Sequence, residues 1–451
     1  VAIFKPIDFR GDLFATTFSF SAQALIRLFS SIVLTRILRP ESYGVITLLL
    51  SIVFVVELLA DINVSLFIVR EQEADQARFI NTAWTMRLGR AVLNTLVVFL
   101  GAPIIADTFY KAPELVLPLR VFAVSFLIGG FESMAFALAM RRKRTRILMY
   151  SELFATCVST TFSIVYCLFS RDYWGLIYGI LLNRLVITIV SYRFYPELRP
   201  RLQFQPDAAR SILKFTKYTM PSSLLTIAMT QFDKVVFLRL FDMRLLGIYG
   251  LAGNIAGPIE SLISRISNQV LYPRCAHNFR EDPGSARWKY YQENVRLFVS
   301  ILIMPAVIGG GARLVISLLY DPRYAQAAAV LQAFMVRSML LSLATPAEDL
   351  MIASGASQVI LVGNVYRAAW MFTVSLLGYW LFGFMGFAYG AALSPLVPLG
   401  YYWWLQRKSG LLIAKFELWK VAFAAGMTVV SYTICSLILR LWPALRLGFR
   451  H

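Results

Sequence analysis

The sequence predicts an all-α polytopic membrane protein: two six-helix lobes related by a pseudo-two-fold axis along the membrane normal, plus about one extra C-terminal helix. Three observations predict it: the spacing of the apolar blocks, the distribution of basic residues between them, and an internal repeat. The 451-residue chain is 58% hydrophobic, with a mean hydropathy of +0.64, whereas soluble domains are about 45–50% apolar. The excess falls in blocks such as 45–60, 116–140 and 372–392, close to the roughly 20 residues a helix needs to cross hydrocarbon. The longest connection between blocks, roughly 193–217, is too short for an independent folded unit.

The expected spans are 13–35, 43–69, 84–106, 117–140, 148–169 and 173–193, then 218–238, 246–271, 292–312, 327–352, 359–381 and 386–405, with a thirteenth near 419–440. The first six form an N-terminal lobe (1–200) and the next six a C-terminal lobe (201–410). The segment 411–451 holds the extra helix and a tail. With the N-terminus in the cytoplasm, the even-numbered connections carry Arg70, Arg78, Arg87 and Arg90, then the run Arg141, Arg142, Lys143, Arg144 and Arg146. Later even connections continue the pattern with Arg193 to Lys217, Arg274 to Arg296 and Arg407 to Lys420. The odd connections hold about threefold fewer, as the positive-inside rule requires. The tail carries Arg440, Arg446 and Arg450 although the count places it outside. Either a fourteenth span or an incomplete last crossing would remove the conflict.

The repeat is short but placed consistently. Leu34-Thr35-Arg36-Ile37-Leu38 with Gly44 matches Phe237-Leu238-Arg239-Leu240-Phe241 with Gly247, both the Arg and the Gly recurring after 203 residues. Phe109-Tyr110 is echoed by Leu319-Tyr320 after the third span of each set. An offset of six spans keeps both halves in the same topology, which is the signature of parallel repeats around an axis along the membrane normal.

Several function classes drop out. The net charge of +19 sits in connections rather than on one basic face, which argues against nucleic acid as a partner. Cys157, Cys167, Cys275 and Cys435 have no metal or disulfide spacing, and the two histidines are His277 and His451. There is no Walker A loop and no GxSxG element. With short outer connections as well, the expectation is no catalytic residue, no resident metal or cofactor, and no enzyme.

Polar residues inside spans carry the functional information, because a charge at the bilayer centre costs about 2.5–3.5 kcal/mol or more. They form stripes in four spans. Span one has Ser19, Gln23, Arg27 and Ser30; span two has Glu57, Asp61 and Asn63. Span seven runs from Thr219 through Ser222, Ser223, Thr226 and Thr230 to Asp233 and Lys234. Span eight has Asn254, Gly257, Ser261, Ser264, Arg265 and Asn268. A polar face must meet water, protein or a polar substrate. On the functional reading these helices line a hydrophilic cavity. Arg27, Lys234 and Arg265 then attract an anionic group, and Gln23, Asn254 and Asn268 supply hydrogen bonds. A guanidinium fork suits phosphate, while an ammonium acts as a point charge. The plainer reading is that Arg27 pairs with Glu57 or Asp61, and Lys234 with Asp233, to neutralise buried charge, the Ser/Thr face of span seven being helix-packing glue. Glu57, Asp61 and Asp233 are also candidates to carry a coupling ion, H+ or Na+. Glu132, Glu152, Arg184, Arg337, Glu348, Asp349 and Arg367 are further intramembrane charges, given no role here. Pro221, Gly257-Pro258, Pro305, Pro346, Pro395 and Pro398 interrupt spans and are candidate hinges.

The segment from Leu34 to Pro40-Glu41-Ser42-Tyr43-Gly44 resembles the first outer loop of Wzx-type polysaccharide flippases. The second-half match is Asp233-Lys234, Arg239, Leu246-Gly247-Ile248-Tyr249 and Pro258, with Leu318-Leu319-Tyr320-Asp321-Pro322-Arg323-Tyr324 as a further echo. The resemblance runs to about residue 405. It implies membership of the multidrug/oligosaccharidyl-lipid/polysaccharide exporter superfamily, with two lobes in a V around a central cavity. It also implies an oligosaccharide repeat unit on undecaprenyl pyrophosphate as substrate. By alternating access this would pass from the cytoplasmic to the periplasmic leaflet of the bacterial inner membrane, for O-antigen, capsule or exopolysaccharide assembly. Membrane lipids, and a polymerase and chain-length regulator of the same pathway, are the implied partners. Carried onto this chain, the pyrophosphate role falls to Arg27, Lys234 and Arg265. The thirteenth span is similar to the extra C-terminal helices of lipid II flippases. The rival readings are a cation-coupled multidrug exporter of the same superfamily and a non-transporting scaffold in an envelope-assembly complex.

Overall fold

The computed structural model describes residues 9–59, 64–70, 76–142, 145–193, 200–214, 216, 240–356 and 358–441, and every regular element among them is helical. Nine of the described helices are long and apolar enough to cross a membrane, or ten if Pro283–Glu293 and Val295–Gly310, bent by 44°, count as one span. The chain is a multi-pass membrane protein. The span expected at 218–238 lies outside the described residues, as does the tail 442–451. The span expected at 246–271 is a continuous helix, Met243–Ile266, running into a π-helical turn, Ser267–Leu271. Asn254 and Glu260 within it keep it out of the strictly apolar set.

The chain divides into two compact units. The first takes the described residues of Val1–Leu38 and Val45–Ile227, with Leu240; the second takes those of Arg39–Gly44 and Phe241–His451.

In the first unit the long helices are α1 (Phe9–Ile37), α2 (Pro40–Leu59, whose first turn belongs to the second unit), α4 (Ala77–Pro103), α5 (Val116–Gly130), α7 (Thr145–Ser170) and α8 (Trp174–Ser191). Short α3 (Val64–Arg70) and α6 (Ala135–Arg141) lie between them, and residues 206–214 are helical as well. With no hydrophobic drive between helices in lipid, close contact needs small residues and hydrogen bonds. Both are present. A Cβ on Gly130 would stand 2.3 Å from that of Ala91, so α5 meets α4 at van der Waals limits. Gly175 and Gly179 press α8 on Cys167 and Ser163 of α7, where Asn183 Nδ2 donates to Ser159 Oγ at 3.2 Å. Ser19 Oγ donates to the Met149 carbonyl at 3.0 Å, tying α1 to α7. The extended stretch 201–205 is clipped along α4: Asn81 Nδ2 donates to Gln203 Oε1 at 3.0 Å, and the Gln205 amide donates to Thr82 Oγ1 at 3.2 Å.

The second unit holds α9 (Met243–Ile266), α10 (Tyr272–Glu281), α11 (Pro283–Glu293), α12 (Val295–Gly310), α13 (Ala312–Leu319), α14 (Ala327–Ala353), α15 (Gln358–Ala392), α16 (Leu396–Lys408) and α17 (Ala414–Leu441). α14 is its central element, with Leu331, Phe334, Met335 and Leu350 buried along its length. α15 is two helices joined at Gly383, whose φ of +61° and ψ of −140° break the helix. The two arms touch where a Cβ on Gly378 would stand 2.3 Å from the Gly386 carbonyl oxygen, and Trp370 Nε1 donates to the Gly390 carbonyl at 3.0 Å. This hairpin supplies the eleventh expected span and the first part of the twelfth, and α16 supplies the rest. α17 packs on α12 through Ser431 Oγ, which donates to the Val307 carbonyl at 2.7 Å, and through Gly310.

Several motif residues of the sequence meet in this unit. A Cβ on Gly247 would stand 1.8 Å from the Pro40 carbonyl oxygen, and one on Gly44 would meet the Met243 carbonyl. The Tyr43 ring lies edge-on to Tyr324 at 5.8 Å. Asp321 caps the turn Pro322–Tyr324 and pairs with Arg323 Nε at 2.8 Å. Gly44 and Gly247 are therefore glycines because backbone meets backbone there.

Candidate functional site

α4 has two faces, set by the helical period. Leu93, Leu96, Val97 and Leu100 are exposed apolar side chains. Arg87, Arg90, Ala91 and Asn94, at spacings of three and four, turn the other way and line a cavity of about 230 Å³. Phe54, Glu57 and Leu58 of α2, Phe126, Gly129 and Gly130 of α5, and Arg184 of α8 complete the wall. The whole cavity lies in the first unit.

Its wall is rich in charged side chains. Arg184 Nη2 reaches Glu57 Oε1 at 3.1 Å and Oε2 at 3.5 Å, straddling the carboxylate. Arg87 pairs with Glu132 at 2.9 Å. Arg90 is the third guanidinium on the wall. The Arg184 and Glu57 side chains keep 39% and 35% of their surface exposed, so an incoming group can reach the pair. Arg87 and Glu132 keep less than a fifth.

The second unit has its own charged cluster. Arg337 Nε donates to Glu260 Oε1 at 2.8 Å and its guanidinium lies 4.5 Å above the Phe334 ring. Ser338 Oγ also donates to Glu260, at 3.4 Å. Ser267 Oγ donates to Asp349 through a short hydrogen bond. Among the described residues no three His, Cys, Asp or Glu side chains are grouped as metal ligands.

The sequence-predicted residues are placed as follows. Arg27 is exposed on α1. Gln23, half-buried, donates to Ser19 Oγ at 3.3 Å, and Ser19 itself is spent on the α1–α7 contact. Asn254 and Asn268 are exposed and Arg265 is half-buried, on α9 and the π-helical turn after it. Lys234, Asp61 and Asp233 lie outside the described residues. The pairing of Arg27 with Glu57 is corrected: Glu57 is taken by Arg184, which lies on the opposite wall of the same cavity. Arg87 and Arg90, counted with a connection although they fall in the expected span 84–106, lie inside α4.

The sequence marks Arg184, Arg87 and Arg90 as charges without a site role, and Glu260 is not singled out by it. One signal was available: Glu260 follows Glu57 by 203 residues, the offset of the repeat already marked by Arg36/Arg239 and Gly44/Gly247.

The comparisons agree with this membrane architecture. The chain is 23% identical over 417 residues to the lipopolysaccharide biosynthesis protein WzxC of Escherichia coli, covering 89% of this chain and 82% of that protein. It is 22% identical over 303 residues to the amylovoran biosynthesis protein AmsL of Erwinia amylovora, covering 67% and 77%. In fold it resembles the lipid II flippase MurJ in an inward closed conformation (TM-score 0.65, 13% identity, 95% and 98% of the two chains). It also resembles an inward-facing multidrug resistance MATE family transporter of the MOP superfamily (TM-score 0.61, 15% identity, 86% and 95%). The family model described as polysaccharide biosynthesis protein matches residues 33–329, and the chain belongs to that family.

Proposed function

We propose that this protein is a flippase that moves oligosaccharide repeat units linked to undecaprenyl pyrophosphate from the cytoplasmic to the periplasmic leaflet of the bacterial inner membrane. It does so by alternating access, with its N-terminus in the cytoplasm. The observation that carries the reading is the cluster of Arg87, Arg90 and Arg184 on one cavity inside a unit built of apolar helices. Ionisable side chains within apolar spans are rare and mark candidate functional sites. Guanidinium groups favour phosphate. Family membership and the likeness to WzxC support a polysaccharide-related cargo.

A sugar pyrophosphate cannot cross hydrocarbon unaided, since its polar groups would be stripped of water. Fixed arginines replace that hydration while the polyprenyl tail stays in lipid. Arg27, Arg265, Gln23, Asn254 and Asn268, with Lys234, are proposed to contact the head group. Glu57, Asp61 and Asp233 are proposed to couple transport to H+ or Na+. The protein is not itself an enzyme in this reading; a polymerase and a chain-length regulator act on what it delivers.

Depletion in cells tests the proposal. Loss of surface polymer together with accumulation of lipid-linked repeat units in the cytoplasmic leaflet is expected. Normal export of the polymer without this protein would overturn it.

A further inference from the structure

The segment that follows the sixth expected span has a fixed seat on the first unit. The Arg201 amide donates to Asn81 Oδ1 at 3.1 Å. Gln203 exchanges two bonds with Thr85 Oγ1, its amide donating and its carbonyl accepting, each at 3.1 Å. With the Asn81–Gln203 and Gln205–Thr82 bonds, polar side chains on one face of α4 stand in for a partner strand. They hold every second residue: 201, 203 and 205. The helix 206–214 then buries Ala208, Ala209 and Ile212, with Ile212 in a cluster that includes Ile68, Trp84 and Leu138.

The residues between and beyond these anchors are exposed. Leu202, Phe204 and Leu213 keep 73%, 61% and 51% of their surface. Arg201, Arg210 and Lys214 are exposed beside them, and Asp207 is the one acid among residues 200–214. Two constraints set the depth of this segment. Lipid-exposed backbone that is not helical does not occur within hydrocarbon, so 201–205 lies outside it. α4 has 27 residues, about 40 Å at 1.5 Å per residue, and overruns a hydrocarbon core of about 30 Å. The overrun falls at its polar first turns, which carry Asn81, Thr82 and Thr85. Arg141 Nη1, at the end of α6, donates to the Ile68 carbonyl of α3 at 2.9 Å. The borders of the second, fourth and sixth connections therefore meet at one end of the unit, the end that the proposed topology assigns to the cytoplasm.

We propose that residues 201–214 form a lipid-surface site. Leu202, Phe204 and Leu213 enter the acyl boundary of the leaflet at this end, while Arg201, Arg210 and Lys214 hold the phosphates of anionic phospholipids. Leu and Phe flanked by Arg and Lys is the composition of segments that lie in the interface plane, and an anionic leaflet attracts each cation near its surface. The clip on α4 sets the extended geometry beforehand, so little ordering entropy is lost on binding. Bound lipid then secures the chain ahead of its passage to the second unit. The inference goes beyond the transport reading and is independent of the cargo.

The test uses the full chain in nanodiscs of phosphatidylcholine mixed with phosphatidylglycerol. Phe204→Cys carries an environment-sensitive dye, and the accessible Cys157 and Cys435 are changed to serine. Leu202→Cys carries the dye if Phe204→Cys does not fold. A quencher on the upper acyl chain is placed on each lipid in turn, and the ratio of quenching reads the preference for the anionic one. The dye is expected to be quenched by both lipids, and more by phosphatidylglycerol. Arg201→Gln, Arg210→Gln and Lys214→Gln should each lower that preference about fivefold, equivalent to about 1 kcal/mol. Thr85→Val, which removes the bonds to Gln203 and keeps every charge, should lower quenching by both lipids. A dye that neither lipid quenches, equal quenching by the two, or a Thr85→Val protein quenched as wild type is, would overturn the site.

Discussion

Lys420 Nζ forms an ion pair with Glu417 Oε1 at 2.7 Å, one turn apart on α17, and neither side chain reaches solvent by more than 3%. The ammonium lies 4.4 Å above the Phe298 ring and 5.9 Å from that of Tyr291, so the pair pins α17 onto α11 and α12. Breaking a buried pair by removing one partner costs about 3–5 kcal/mol, whereas replacing both by apolar groups is often neutral. Lys420→Met is therefore expected to lower the thermal midpoint strongly. Adding Glu417→Leu should restore most of the loss, as read by thermal unfolding in detergent.

Gly383 sits where a side chain would meet no neighbour, yet its φ of +61° with ψ of −140° lies outside the regions other residues favour. Gly383→Ala should cost about 1–3 kcal/mol through backbone strain alone. The same change at Gly400, where a Cβ is also unopposed and φ is ordinary, should be neutral or slightly stabilising. Equal midpoints for the two variants would contradict this.

At Gly130 the objection is contact, not backbone. A Cβ there would stand 2.3 Å from Ala91 Cβ, and overpacking typically costs about 1–3 kcal/mol. Gly130→Val should separate α5 from α4, deform the arginine cavity and lower both stability and pyrophosphate binding. Gly129→Ala, with nothing within 4 Å of its Cβ, should alter neither fold nor stability.

Asp282 caps α11, accepting from the Gly284 and Ser285 amides at 3.1 and 3.4 Å. Hydrogen bonds from the side chain and backbone of Ser285 hold its carboxyl below the usual carboxylate range. A depressed value means that the cap stabilises the fold above the unfolded pKa of about 3.9 and fades as pH falls through the folded value. Asp282→Ala should thus lower the midpoint at pH 7, and the difference from wild type should close on acidification below pH 4.

Most of the fold was legible because apolar length is a strong signal and the hairpin at Gly383 falls between two expected spans. The cavity was not, for a physical reason. Arg87 and Arg90 lie inside the expected span 84–106 yet read as connection charges, because the sequence does not say that this face of α4 turns toward α2, α5 and α8. Arg184 looked like an isolated charge because its partner is 127 residues away. Burial of Ser19 against Met149 likewise turns a residue of the polar stripe into a packing contact, and periodicity alone does not distinguish those roles. Glu57 was legible as an acid in a span; that it faces Arg184 rather than Arg27 is a matter of packing.

The most direct test of the central claim is flipping of a radiolabelled undecaprenyl-pyrophosphate oligosaccharide in proteoliposomes under an imposed H+ or Na+ gradient. Wild type should move the lipid between leaflets faster than protein-free vesicles. Arg184→Ala, and Arg27→Ala with it, should reduce the rate while inserting normally. Wild-type protein that moves the lipid no faster than empty vesicles, with a matched oligosaccharide, would contradict the account.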